Sequence, residues 1–203
     1  MSLHPQYPDV LERLKQGQTF LDLGCCFAQD IRKLVYDGVP AESLYAADLH
    51  SEYIDLGFEL FKDKDKLAST LFAADLFDPE SRLKELRGKV DVIHAGSFFH
   101  LFDWDNQVEV GKKVVELLRP QKGSLLLGRQ TGTIKPGASQ YKINKGREIY
   151  RHDSATFKRL WEEIGGITGT SWEVEAKLVE REEFANFGDG ENRRWIIFSV
   201  QRL

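Results

Sequence analysis

The chain has 203 residues, 41% of them hydrophobic and 11% aromatic, enough to bury one substantial core without disulfides or metals. Its net charge of -4 argues against nucleic-acid partners, which usually meet a basic face, and favours a small molecule or a protein as partner. The two cysteines, Cys25 and Cys26, are adjacent and no apolar run approaches the ~18 residues of a membrane span, so neither a metal site nor a membrane contact is expected, and the setting is reducing and cytoplasmic.

In chain order, short β-branched or leucine-rich runs alternate with segments of helical period, which predicts an α/β protein with helices on both faces of a mostly parallel sheet. Val10, Leu11 and Leu14 predict a leading helix over residues 7–16, followed by a strand at 19–23 that ends in a glycine-containing turn. A helix at 27–36 closes at Gly38 and Pro40, a second strand at 43–47 runs into Asp48, and a helix continues from 51 to 61. A third strand at 70–74 runs into Asp75, and Pro79 is expected to open a helix reaching Leu86. The fourth strand is placed at 90–95, a helix capped by Asp103 or Asp105 runs to Leu118, and the fifth strand is placed at 124–127.

Residues 131–152 show no clear period and read as a long connection, locally basic through Arg147, Arg151 and neighbouring lysines. Asp153 or Ser154 caps a last helix to Ile164. The strands at 171–179 and 194–200 have no helix between them and must pair antiparallel. One domain is expected over residues 1–203.

Residues 20–30, Phe-Leu-Asp-Leu-Gly-Cys-Cys-Phe-Ala-Gln-Asp, resemble the first glycine-rich motif of class I S-adenosylmethionine (SAM) dependent methyltransferases. Gly24 matches the first glycine, whereas Cys26 and Ala28 stand where the second and third usually are. A dinucleotide site needs its second glycine to approach a pyrophosphate. SAM has none, so the departures favour SAM over NAD. The resemblance implies a Rossmann-like fold with strand order 3-2-1-4-5-7-6. It gives Asp22 the cationic amino-acid end of SAM, and the backbone near Cys25 and Cys26 its carboxylate. Asp48, with Leu49 beside it, sits near the offset of a ribose-binding acid, and Asp75 and Leu76 take the positions that meet the adenine amine and ring.

Residues 94–104, His-Ala-Gly-Ser-Phe-Phe-His-Leu-Phe-Asp-Trp, resemble the segment lining the transfer channel in small fungal methyltransferases of polyketide and meroterpenoid pathways. That resemblance implies methyl transfer to a carboxyl or hydroxyl oxygen. Gly96 and Ser97 would pass near the sulfonium. Phe98, Phe99, Phe102 and Trp104 would either form an apolar acceptor wall or pack in the core, and Arg147 would either hold an acceptor carboxylate or stand in a solvated loop. His100 is a candidate general base, set against a loop-orienting role; a carboxylic acid would need no base. His94, inside the fourth strand, reads as structural.

N- or C-methylation, or SAM binding without turnover, are the alternatives. The first is lowered by the lack of an Asn/Asp-Pro-Pro-Tyr type of motif after the fourth strand. Only about 18 residues precede the first strand, where many members of that family carry substrate-covering helices, so a shortened N-terminus is expected.

Overall fold

The computed structural model describes residues 1–140, 146, 148–180 and 192–203. In chain order the elements are α1 (Tyr7–Lys15), β1 (Phe20–Leu23), α2 (Gln29–Tyr36), β2 (Leu44–Asp48), α3 (Ser51–Phe61), β3 (Thr70–Ala73), β4 (Val92–His94), α4 (Trp104–Leu117), β5 (Leu125–Thr133), β6 (Gly137–Gln140), β7 (Glu148–Arg151), α5 (Ser154–Thr168), β8 (Trp172–Val179) and β9 (Arg193–Arg202).

Seven strands form one sheet in the order β3-β2-β1-β4-β5-β9-β8. Counting only strands of this sheet, that is the expected 3-2-1-4-5-7-6. The first five are parallel, and β9 inserts antiparallel between β5 and β8. Side chains alternate across a strand, so successive residues of β1 enter different cores. Phe20 joins a cluster with Val10, Leu14, Ile31, Leu34 and Ile54, beneath α1, α2 and α3. Leu21 joins one with Val110, Val114, Phe157, Leu160 and Trp161, beneath α4 and α5. Among the described residues no helix is long and apolar enough to cross a membrane.

Three expectations need correction. The segment after Pro79 is not an α-helix; a 3-10 turn spans Arg82–Leu86 and buries Leu83 and Leu86. Those leucines are three residues apart, which places them on one side of a three-residue turn, and Gly88 at φ +65° ends the segment. β5 runs six residues beyond Leu127, because β9 pairs with it through Thr133↔Arg193 and supplies hydrogen bonds regardless of side-chain polarity. Gly128 permits this: a Cβ there would lie 2.4 Å from the Ala95 carbonyl oxygen.

The connection after β5 is also not irregular throughout. β6 and β7 pair antiparallel, and the Tyr150 N–H donates to the Phe102 carbonyl at 2.9 Å, which fastens this hairpin to the loop after β4. Residues 141–145 and Arg147, the last a candidate acceptor ligand, lie outside the described residues.

Candidate functional site

A cavity of about 390 Å³ opens at the carboxyl ends of β1 and β4, beside Gly128 and Arg129 in the middle of β5. Six of the candidate residues line it: Asp22, Gly24, Cys25, Cys26, Gly96 and Ser97. Its remaining wall comes from Met1–His4, Gln29, Asp30, His94, Gly128, Arg129 and Ile197. Open α/β sheets form crevices at this edge because the loops leaving adjacent strands diverge there.

The turn out of β1 keeps left-handed backbone at all three positions of the glycine motif. Gly24 has φ +74°, and both Cys26 and Ala28 have φ +51°. A non-glycine residue there costs about 1–2 kcal/mol from Cβ crowding. Asp48, at the end of β2, fastens the strained turn: its Oδ2 accepts from the Cys26 N–H at 2.8 Å and its Oδ1 from the His50 N–H at 3.1 Å. A carboxylate has about four lone-pair positions, so both oxygens retain capacity for a ligand hydroxyl.

Asp22 is 3% exposed, and its Oδ1 lies 2.8 Å from His94 Nδ1. An ionised carboxylate only accepts, so His94 donates from Nδ1. Asp22, Asp30 and His94 each bring a polar atom within 4.8 Å of the others. Two carboxylates at this spacing on the cavity floor suit a cationic group. Burial, followed by the charges of Asp22 and Asp48, pushes the Cys25 thiol upward, and burial also raises Cys26, so both remain protonated.

The aromatic segment after β4 divides. A Cβ on Gly24 would come within 2.6 Å of Phe98 Cδ2, so the Phe98 ring covers that glycine. Phe98 meets Phe102 at a centroid distance of 5.5 Å, and Phe102 meets Phe77 at 5.6 Å. Phe99, in contrast, is fully buried against Phe157, Trp161 and Phe198, and Trp104 donates from Nε1 to Glu163 beneath the Arg159 guanidinium. Both belong to the α4–α5 side of the sheet and are not cavity wall. Helical spacing carries large side chains to either destination; here the core took them.

His100 also lies outside the cavity lining. Burial lowers its pKa to about 4, with the charges of Arg151 and Arg193 acting in the same direction. Its backbone N–H donates to Gln130 Oε1 at 3.1 Å. Its backbone is thus anchored in the loop, and its ring lies away from the residues that line the cavity.

On the opposite flank, Leu49 is 60% exposed and Asp75 is exposed, with Oδ1 accepting from the Phe77 N–H at 2.8 Å. Leu76 turns into the core, and Phe77 is the apolar side chain left facing outward. Leu76, expected at an adenine ring, is thus a core residue. Sequence reasoning missed Asp30 and Arg129 and set His94 aside as structural. Arg129 had a legible signal, since it continues the face of Leu125 and Leu127 with a charge.

No family model matches the chain. It is 51% identical over 183 residues to the O-methyltransferase phiE of a fungal species, covering 89% of this chain and 61% of that protein. It is 45% identical over 205 residues to the O-methyltransferase atr3 of Stereocaulon alpinum, covering 100% of this chain and 59% of that protein. The solved phosphoethanolamine N-methyltransferase 2 of Haemonchus contortus superposes with a TM-score of 0.64 at 15% identity, over 97% of this chain and 52% of that one. In sequence the chain is similar to fungal O-methyltransferases, and its fold is that of solved methyltransferases.

The chain spans about three fifths of the length of the two fungal relatives. The same fold is shared by the cyclase SpnF, with a TM-score of 0.67 at 9% identity over 95% of this chain and 78% of that one. Fold alone therefore does not fix the reaction.

Proposed function

We propose that this chain binds SAM at the carboxyl edge of β1, β2 and β4 and methylates a carboxyl or hydroxyl oxygen of a small, secondary-metabolite-like acceptor. The observation that carries this reading is the pair of acids Asp22 and Asp30 in the cavity lining, set beside a glycine-motif turn that Asp48 holds in place. Relatives at 45% and 51% identity that are O-methyltransferases favour oxygen as the acceptor atom.

In this reading Asp22 and Asp30 hold the amino-acid ammonium, and the backbone about Cys25 and Cys26 faces the carboxylate. Asp48 accepts from ribose hydroxyls and Asp75 from the adenine amine, with Leu49 and Phe77 as the exposed apolar pair nearby. Bound SAM supplies an electrophilic methyl group on a sulfonium that leaves as a neutral thioether. The chain's task is positional: Gly96 and Ser97 admit the acceptor close to that methyl, while Phe98 and Phe102 limit water. No side chain need take a proton when the acceptor is a carboxylate.

Mass spectrometry of the purified protein for retained SAM or S-adenosylhomocysteine tests binding. Transfer of labelled methyl to a panel of aromatic acids and phenols tests the reaction. S-adenosylhomocysteine binding with no transfer to any acceptor would favour a SAM-binding protein without turnover, and label recovered on nitrogen or carbon would move the acceptor atom.

A further inference from the structure

Along β5 the side chains of Leu125 and Leu127 enter the buried cluster beneath α1 and α2. Arg129 is next on that face, where the core ends and the cavity begins. An arginine in a position whose neighbours two and four residues back are leucines is costly to desolvate unless something offsets it. Arg129 is half-buried, and its guanidinium carbon lies 4.5 Å over the ring of Trp195. The partly buried Arg32 and Arg119 are met by Asp63 and Asp91 at 2.7 and 2.8 Å. No carboxylate of the described residues pairs in this way with Arg129.

The backbone of Arg129 is fixed as firmly as its side chain. Its carbonyl accepts from the Ser97 N–H at 2.7 Å, and Ser97 itself is held at φ +54°. The backbone of Arg129 is therefore tied to the turn after β4, the turn proposed above to pass the reacting oxygen. Asp22 and Asp30 stand in the cavity floor, and the wall from β5 brings Arg129 beside Ile197. A guanidinium lying over an aromatic ring keeps its N–H groups in its own plane, where they match the two oxygens of a carboxylate.

We infer that Arg129, seated on Trp195, is the specificity-determining residue for an acceptor that presents a carboxylate, and that it distinguishes this anion from the neutral methyl ester. This rests on the methyl-transfer reading above. On transfer, a carboxylate oxygen lone pair forms the new O–CH3 bond, the C–S pair stays on sulfur, and no proton moves. The acceptor loses its charge in the same event. Arg129 thereby binds substrate more tightly than product and favours release of the ester.

The test uses benzoate and methyl benzoate as probes, with dissociation constants measured by ligand-observed NMR on the purified chain saturated with S-adenosylhomocysteine. Benzoate is expected to bind at least tenfold more tightly than methyl benzoate. Arg129→Gln should abolish that preference while leaving methyl benzoate and S-adenosylhomocysteine binding unchanged, and Arg129→Lys should restore part of it. Equal binding of the two probes to the unmodified chain, or no binding of either, overturns the inference. So does an Arg129→Gln variant that keeps its benzoate preference. If Arg129→Gln instead weakens S-adenosylhomocysteine, the guanidinium serves the cofactor carboxylate and the inference is likewise overturned. A chain that never binds S-adenosylhomocysteine defeats the methyl-transfer reading itself, separately from these outcomes.

Discussion

His94 Nδ1 and Asp22 Oδ1 lie 2.8 Å apart with both side chains buried, so the acid inside β1 is oriented by the last residue of β4. Because the strands are parallel neighbours with Asp22 opposite His94, the sheet register itself brings the pair together. The carboxylate keeps its second oxygen for the cavity while its first is satisfied.

Removing His94 should therefore be felt twice. His94→Phe leaves a buried carboxylate oxygen without its donor, and a loss of about 1–3 kcal/mol in folding free energy is expected, read from urea midpoints. Affinity for S-adenosylhomocysteine, followed by calorimetry, should fall along with it. An unchanged affinity would show that Asp22 needs no orientation.

Asp48 carries two backbone hydrogen bonds that fix the turn. Asp48→Ala is expected to lower S-adenosylhomocysteine affinity by roughly 10- to 150-fold, equivalent to about 1.5–3 kcal/mol for charge-assisted hydrogen bonds. Asp48→Asn, which preserves one acceptor oxygen, should fall between that variant and the parent. Isothermal calorimetry of the three proteins gives the ranking.

The two ends of the β1 turn should respond oppositely to the same kind of change. Ala28→Gly relieves a left-handed alanine and is expected to stabilise by up to about 1 kcal/mol, after the extra unfolded-state entropy of glycine is deducted. Gly24→Ala adds a Cβ at φ +74° that would sit 2.6 Å from Phe98, and should destabilise by about 1–3 kcal/mol. Thermal unfolding of both variants checks the pair of signs.

Burial lowers the pKa of both His100 and His152 to about 4 from 6.5. The unfolded chain then binds more protons than the folded one between these values. Stability is fully present above pH 6.5, and falls as pH drops through the window toward 4. The slope approaches about 1.4 kcal/mol per pH unit for each histidine. Urea titrations at pH 7 and pH 5 should show this loss, and His152→Gln should reduce it. Methyl transfer should show no His100 titration near pH 6.5; an activity step there that disappears in His100→Asn would support the general-base role.

Much of the site was legible because it depends on strand ends. Asp22 lies one residue before the end of β1, Asp48 ends β2 and Asp75 follows β3, and a parallel sheet brings such positions to one edge. The aromatic segment was not legible in the same way. Phe98 and Phe99 are adjacent and chemically identical, yet one covers Gly24 and the other fills the core between α5 and β9. The 3-10 turn at Leu83 and Leu86 escaped too, since three-residue spacing fits an α-helix as well.

By itself the sequence determined the alternation of strands and helices, the terminal antiparallel pair and the acidic strand ends, because periodicity and chain order are local properties. Tertiary structure alone decided that His94 orients Asp22, that Asp30 completes the acidic floor and that β5 continues to Arg129. It also decided that Leu76, Phe99, His100 and Trp104 face away from the cavity. Each depends on which neighbour a strand register or a packed face supplies, and that neighbour lies tens of residues away in the chain.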